Sequence, residues 1–190
     1  MAARPARDTY RHGNVRAEAI EAAYGLVAAE GHEALSLRRV ADAVGVAHRS
    51  LYNHFEDREA LLDAVAERGY AELAAALRPA QSREDFVRAF VSFALANPGL
   101  YGAIASRPHS TMPAKRGLHN AAHLMVAEAR RHFSRPDLTA EQDRRAIMKG
   151  LILLRGALSM YAAGILDVAG DEGLIAERSE ERRVGKECVP

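Results

Sequence analysis

From Leu35 to Phe55 the chain reads Leu-Ser-Leu-Arg-Arg-Val-Ala-Asp-Ala-Val-Gly-Val-Ala-His-Arg-Ser-Leu-Tyr-Asn-His-Phe. No other stretch constrains the fold as tightly. Ser36 precedes an apolar-periodic stretch and suits an N-cap, because its hydroxyl can accept from a free backbone N–H. Leu37, Val40, Ala41 and Val44 follow at the i, i+3, i+4, i+7 spacing that gives a helix one buried face. Gly45 then ends the helix, since glycine adopts the left-handed conformation of a sharp turn without a steric penalty. Val46 is placed to seal that turn against a core.

The second helix is expected from about His48 to His54. Residues on a helix succeed each other by about 100°, so Leu51 lies nearly opposite Arg49 and Asn53. With Leu51 turned inward, Arg49 and Asn53 face out, flanked by His48, Ser50 and Tyr52. Arginine can pair bidentately with guanine and asparagine with adenine, while serine and tyrosine commonly reach phosphates. Phe55 falls just past the helix and is expected to plug the bundle. The layout is that of a helix-turn-helix; the plainer alternative is an ordinary helical hairpin with a solvated polar face.

Nearly all of the remaining chain also reads as helix, with glycine and proline as punctuation and no sustained strand alternation. The first helix is expected over about 14–30, ended by Gly31. A fourth begins after the cap residue Asp57 and runs to about Leu77, before Pro79. It is long enough to serve both halves of an all-α chain. Ser82 caps a helix to Ala96, which Asn97-Pro98-Gly99 breaks. Leu100, Tyr101 and Ile104 start a short helix that Pro108 stops. Residues 107–117 read as a loop. A helix over about 118–133 follows, then the Ser134-Arg135-Pro136 break. Thr139 caps a last long helix to about Leu166. The expected domains are a basic arm over 1–13, a head over 14–65, a helical body over 66–178, and a tail over 179–190 that does not continue the apolar pattern and reads as a frayed end or a foreign segment.

The 190 residues are 48% hydrophobic and 27% charged, ordinary for a globular protein. A net charge of +1 does not by itself advertise nucleic-acid binding, so basic residues must be judged locally. Arg4, Arg7, Arg11 and Arg16 cluster near the N-terminus against Asp8 alone. Such an arm either lies along DNA or is a solubilising tail. The lone Cys188 allows no intrachain disulfide. No apolar run approaches the roughly 20 residues of a membrane span, and no signal peptide is evident. A cytoplasmic location is expected.

Taken together, Arg16, Ile20, Ala22, Ala23, Leu26, Gly31, Leu35 to Arg38, Val40-Ala41, Gly45-Val46, Leu51-Tyr52, His54-Phe55 and Arg58 to Leu62 resemble the TetR (tetracycline-repressor) family of bacterial regulators. The resemblance covers about Val15 to Val65. It implies an all-helical homodimer with two DNA-binding heads, whose spacing is changed by a small molecule bound in the C-terminal body. By position it implies His48, Arg49 and Ser50 as base readers, and Tyr52, Asn53 and His54 as mainly backbone contacts. Ser36 and Arg38 fall where the family contacts phosphate. Ala47 stands where the family often has a serine or threonine cap, which removes about 1 kcal/mol of capping. Arg58 takes a place often held by lysine. Phe86 to Tyr101 resembles, more loosely, the C-terminal domain of some members.

A ligand cavity in the body would be apolar with a few polar groups. Its candidate lining is Phe90, Phe93, Tyr101, Met112, Met125, Met148 and Tyr161, each of which also suits ordinary core. Methionine and aromatic lining favours a flexible, mostly apolar ligand. Ile147, Leu151, Leu154, Leu158 and Tyr161 form one stripe of the last helix, suited to an intrachain core or to the dimer bundle that the resemblance implies. His119 and His123 are four residues apart, with His109 in the nearby loop, but no acidic or cysteine ligand shares their spacing. Solvated or core histidines are the expectation, with no metal and no cofactor. No nucleophile elbow, phosphate loop or cysteine-based metal cluster is present, so catalysis is not expected. The leading reading is a repressor released from an operator by a small ligand; the alternatives are an activator or a DNA-binding module without an effector.

Overall fold

In the computed structural model, the structure describes residues 14–108 and 111–165. The arginines of the expected N-terminal arm before Val15, His109, Cys188 and the expected tail lie outside the described residues; the last helix ends at Ala162, short of the expected Leu166. Among the described residues there are eight α-helices and no strand. They are α1 (Val15–Glu30), α2 (Leu37–Val44), α3 (His48–Leu51), α4 (Arg58–Leu77), α5 (Arg83–Ala96), α6 (Pro98–Ala105), α7 (Arg116–Phe133) and α8 (Ala140–Ala162), with short 3-10 turns at His32–Ala34 and Met112–Ala114. No described helix is long and apolar enough to cross a membrane. The chain divides into two compact units at Phe133/Ser134.

Local chemistry sets most of the boundaries in the first unit. Gly31 ends α1 at φ 85°, and Gly45 ends α2 at φ 74°, ψ 31°, conformations open to glycine and strained for other residues. Ser36, Asp57 and Ser82 each accept a hydrogen bond from the backbone N–H three residues on, at 3.2, 2.7 and 3.0 Å. Two elements differ from expectation. Pro98 does not merely break the chain: it is the first residue of α6, where its missing N–H costs nothing, so one residue, Asn97, joins α5 to α6. The 107–117 loop contains the Met112–Ala114 turn, and α7 starts two residues earlier than expected.

The head core joins Ala19, Ala23 and Val27 of α1, Leu37, Val40 and Ala41 of α2, Leu51 of α3, Phe55, and Leu61, Leu62 and Val65 of α4. Leu100 and Ala103 of α6 belong to the same core. A Cβ built on Gly99 would lie 2.0 Å from the Val27 carbonyl oxygen, and one on Gly102 would lie 3.0 Å from the His32 ring. The start of α6 therefore presses backbone against backbone on the end of α1. On α4, Leu61, Leu62, Val65, Ala66, Gly69, Tyr70, Leu73, Ala74 and Leu77 are all buried, so this helix forms core along its whole length.

The second unit holds α8. Thr139 and Gln142 make a reciprocal capping box, with N–H to side-chain oxygen distances of 3.3 and 3.0 Å. Asp143, buried in the first turns, accepts from Ser134 Oγ at 2.6 Å and from the Arg135 N–H at 2.8 Å. That closes the Ser134-Arg135-Pro136 break onto α8. Ile147, Leu151 and Leu158 are buried, whereas Ile152, Leu153 and Met160 are exposed. Successive residues turn by about 100°, so Ile152, Leu153, Gly156 and Met160 share a side of α8 distinct from the expected stripe.

Candidate nucleic-acid interface

The two helices of the motif are held by backbone geometry and by two arginines. Behind Gly45, the Val46 N–H donates to Ala41 O at 3.0 Å, and the chain leaves α2 toward α3 in the tight turn a glycine C-cap allows. Arg39 grips Glu30 with both terminal nitrogens, at 2.6 and 2.9 Å, and donates to Ala34 O at 3.2 Å, tying α2 to the end of α1. The Arg39 hydrogen bond holds the Glu30 carboxyl below its ordinary range. Beneath the second helix, Leu51 is fully buried and Phe55 nearly so, with the Arg16 guanidinium 5.4 Å from the Phe55 ring centre.

Most of the expected polar residues are open to solvent. Arg38, Ala47, His48, Arg49, Tyr52, Asn53 and His54 are exposed; Ser36 and Ser50 are half-buried. Between Ala47 and His54 there is no acidic residue, so nothing within that segment repels a phosphate. Val15, Gly45, Val46, Ala47, Ser50, Asn53 and His54 border a surface groove of about 370 Å³. His48 and Tyr52 pack edge to face at 5.2 Å.

The second helix is shorter than expected. α3 ends at Leu51, and Tyr52, Asn53 and His54 continue as a turn, donating to the carbonyls three residues back at 3.3, 3.3 and 2.9 Å. Ala47 offers no side-chain cap. A four-residue α-helix leaves most of its end groups without intrahelical partners, so α3 relies on its neighbours. We predict that Ala47→Ser raises unfolding stability by about 1 kcal/mol by supplying the cap. Urea denaturation at unchanged slope checks this; no change would show that α3 needs no cap in this setting.

Arg58 is half-buried and turned inward. It donates to Leu35 O at 2.9 Å and to His32 O at 2.5 Å, and it also pairs with Glu59. Sequence reasoning did not find the charges linked to it. Arg107, only 6% exposed, reaches Glu59 at 2.8 Å and Asp63 at 3.0 Å. Lys115 meets the other Asp63 oxygen at 2.5 Å. Burial pushes the Glu59 carboxyl up, but the hydrogen bonds and charges of Arg107 and Arg58 outweigh it and leave the group below its ordinary value of 4.5. An unbroken line of polar contacts thus runs from the carbonyls before α2, along the first turn and a half of α4, to the chain after α6.

A second cluster locks α4 to α1. Tyr24 Oη donates to Glu72 at 2.7 Å, and Arg68 lies 3.8 Å over the Tyr24 ring while pairing with Glu72 at 2.9 Å and with Glu21. Burial, then the Glu72 hydrogen bond, pushes the Tyr24 hydroxyl up.

The proposed ligand lining is less unified. Phe90, Met112 and Met125 are buried, while Phe93, Tyr101 and Met148 are half-buried. Phe90 and Tyr101 meet edge to face at 6.0 Å. Tyr161, on α8, is exposed. Among the described residues no group of three or more histidine, cysteine or acidic side chains is placed to hold a metal.

Fold and exposed second helix together define a helix-turn-helix protein. Residues 19–65 match the sequence model of the family described as bacterial regulatory proteins, tetR family. In this head the chain is similar to the TetR family of transcriptional regulators. Over 68 residues it is 37% identical to the HTH-type transcriptional repressor KstR2 of Rhodococcus jostii strain RHA1; the match covers 36% of this chain and 33% of that repressor, so it spans about a third of the relative's length. A solved structure of a protein with unknown function from Rhodococcus sp. RHA1 superposes with a TM-score of 0.67 at 27% identity, covering 92% of this chain and 96% of the other. A protein assigned to the tetR family of transcription regulators, from Shewanella sp. PV-4, superposes with a TM-score of 0.57 at 18% identity, covering 90% and 95%. That second likeness is one of fold.

Proposed function

We propose that this chain is a cytoplasmic, homodimeric repressor that reads a near-palindromic DNA operator and is released from it by a small, largely apolar ligand. The observation that carries the DNA-reading part is the exposure of Arg49, on α3, and of Asn53, in the turn that continues it, either side of the fully buried Leu51 and after a glycine turn. An arginine and an asparagine presented this way can each make two hydrogen bonds to one base edge. Arg38, His48, Ser50, Tyr52 and His54 add donors for phosphate and base contact, and Ser36 both caps α2 and lies at its phosphate-facing end. Residues 14–65 serve as the reading head and 66–178 as the ligand and dimer body. Arg58 sets the attitude of the head through the two carbonyls that it holds.

The repressor sense rests on the likeness of the head to the transcriptional repressor KstR2. The dimer sense is supported by the exposed Ile152, Leu153, Gly156 and Met160 side of α8, because an apolar helix face left in water favours association. The ligand sense is supported by the Phe90–Tyr101 pair and by Met112 and Met125 in the body. Selection from random duplex DNA tests the proposal. The expected product is a near-palindrome with half-sites about 34–36 Å, one helical turn, or a multiple apart. A pool that shows no enriched sequence would overturn it.

A further inference from the structure

On the outer side of α7, His119 and His123 bring their Nε2 atoms to 3.0 Å, with ring centres 4.3 Å apart and planes at 76°. The spacing of four residues puts both rings on one face, one turn apart. His123 is exposed and His119 half-buried, so the pair is open to solvent. Two imidazole nitrogens bound to one ion at about 2.1 Å each and at a right angle would lie about 3.0 Å apart. The observed separation is therefore that of two adjacent positions around an octahedral or tetragonal ion. Lys115, one turn earlier, does not oppose a cation here, because its ammonium is 2.5 Å from the Asp63 carboxylate.

We propose that His119 and His123 form a two-nitrogen chelate for a divalent first-row transition-metal ion, with Ni(II) as its probe. Neutral imidazole suits such ions, and a right-angle arrangement suits Ni(II) in particular. The pair supplies two donors, and no third histidine, cysteine or acidic side chain joins it among the described residues. The other positions of the ion are thus left to water or to an outside donor. With two protein donors, the expected affinity is far below that of a closed four-ligand site. Binding ties one turn of α7 to the next.

Without an ion, the same 3.0 Å contact is a hydrogen bond from one neutral ring to the other. Calorimetric titration of NiCl2 into the untagged full chain separates the two states. The expected result is one ion per chain in the micromolar range, weakened by more than about tenfold in His119→Ala and in His123→Ala, and lost in the double variant. Circular dichroism checks that the variants keep wild-type helix content, and a rise of Tm with NiCl2 is expected only where the pair is intact. Equal binding by wild type and double variant, or no one-to-one binding by wild type, would overturn the proposal and leave a self-satisfied histidine pair.

Discussion

Gly99→Ala is expected to lower unfolding stability by about 3 kcal/mol, the upper end of the range for overpacking. Two effects oppose each other. Alanine in place of glycine favours the helix by at most about 1 kcal/mol. Against this, the new Cβ would stand 2.0 Å from Val27 O, with Val27 C at 3.0 Å and Ala28 Cα at 3.4 Å. These are backbone atoms at the end of α1, so no rotamer change relieves the overlap, and α6 must lift away from the head core that Leu100 and Ala103 help to form. The clash outweighs the propensity. Urea denaturation checks it: the midpoint should fall at a wild-type slope. A neutral or stabilising result would mean that α6 does not press on α1 as described.

Arg107→Met is expected to cost about 2–3 kcal/mol at neutral pH. Removing one partner of a buried ion pair commonly costs about 3–5 kcal/mol. The lower figure fits because Glu59 is half in water and Lys115 still faces Asp63. The pH dependence has a definite sign. Glu59 has its carboxyl held below 4.5 in the fold, by Arg107 and Arg58 against the opposing effect of burial. Its contribution is therefore full above that value and is lost as pH falls through the folded pKa. The gap between wild type and variant should narrow in acid below about pH 4.5. Chemical denaturation at a series of pH values checks this; a gap that widens in acid would contradict the assigned pairing. The same variant should loosen the hold of α6 on the head, since the line of contacts from Arg107 through Glu59 and Arg58 ends on His32 O and Leu35 O.

What could be read from the residues alone was mostly local. Ser36, Asp57, Ser82 and Thr139 act as caps because a hydroxyl or carboxylate followed by an apolar period carries its own geometry. Gly31 and Gly45 marked helix ends for the same reason. The outward set around Arg49 and Asn53 followed from the single inward Leu51. Features made by distant parts of the chain were not legible. Nothing around Arg58 shows that its guanidinium turns back to two carbonyls, and nothing around Arg107 shows a partner 44 residues earlier. The close approach at Gly99 depends on α1, and glycine beside proline read simply as a break. The uncapped Ala47 at the start of α3 was visible, but nothing nearby shows that the helix ends as early as Leu51. Likewise, the spacing of His119 and His123 was plain, but the convergence of their nitrogens depends on side-chain rotamers.

The central claim is that the surface around Arg49 and Asn53 reads DNA sequence. The measurement that tests it most directly is equilibrium binding to the selected operator and to an unrelated duplex, across salt, for wild type and for Arg49→Ala/Asn53→Ala. Each bidentate base contact is worth about 1–3 kcal/mol, so the pair should weaken operator binding by roughly 30-fold to 10,000-fold or more, while binding to the unrelated duplex changes far less. A variant that keeps both the operator affinity and the sequence preference of wild type would contradict the account.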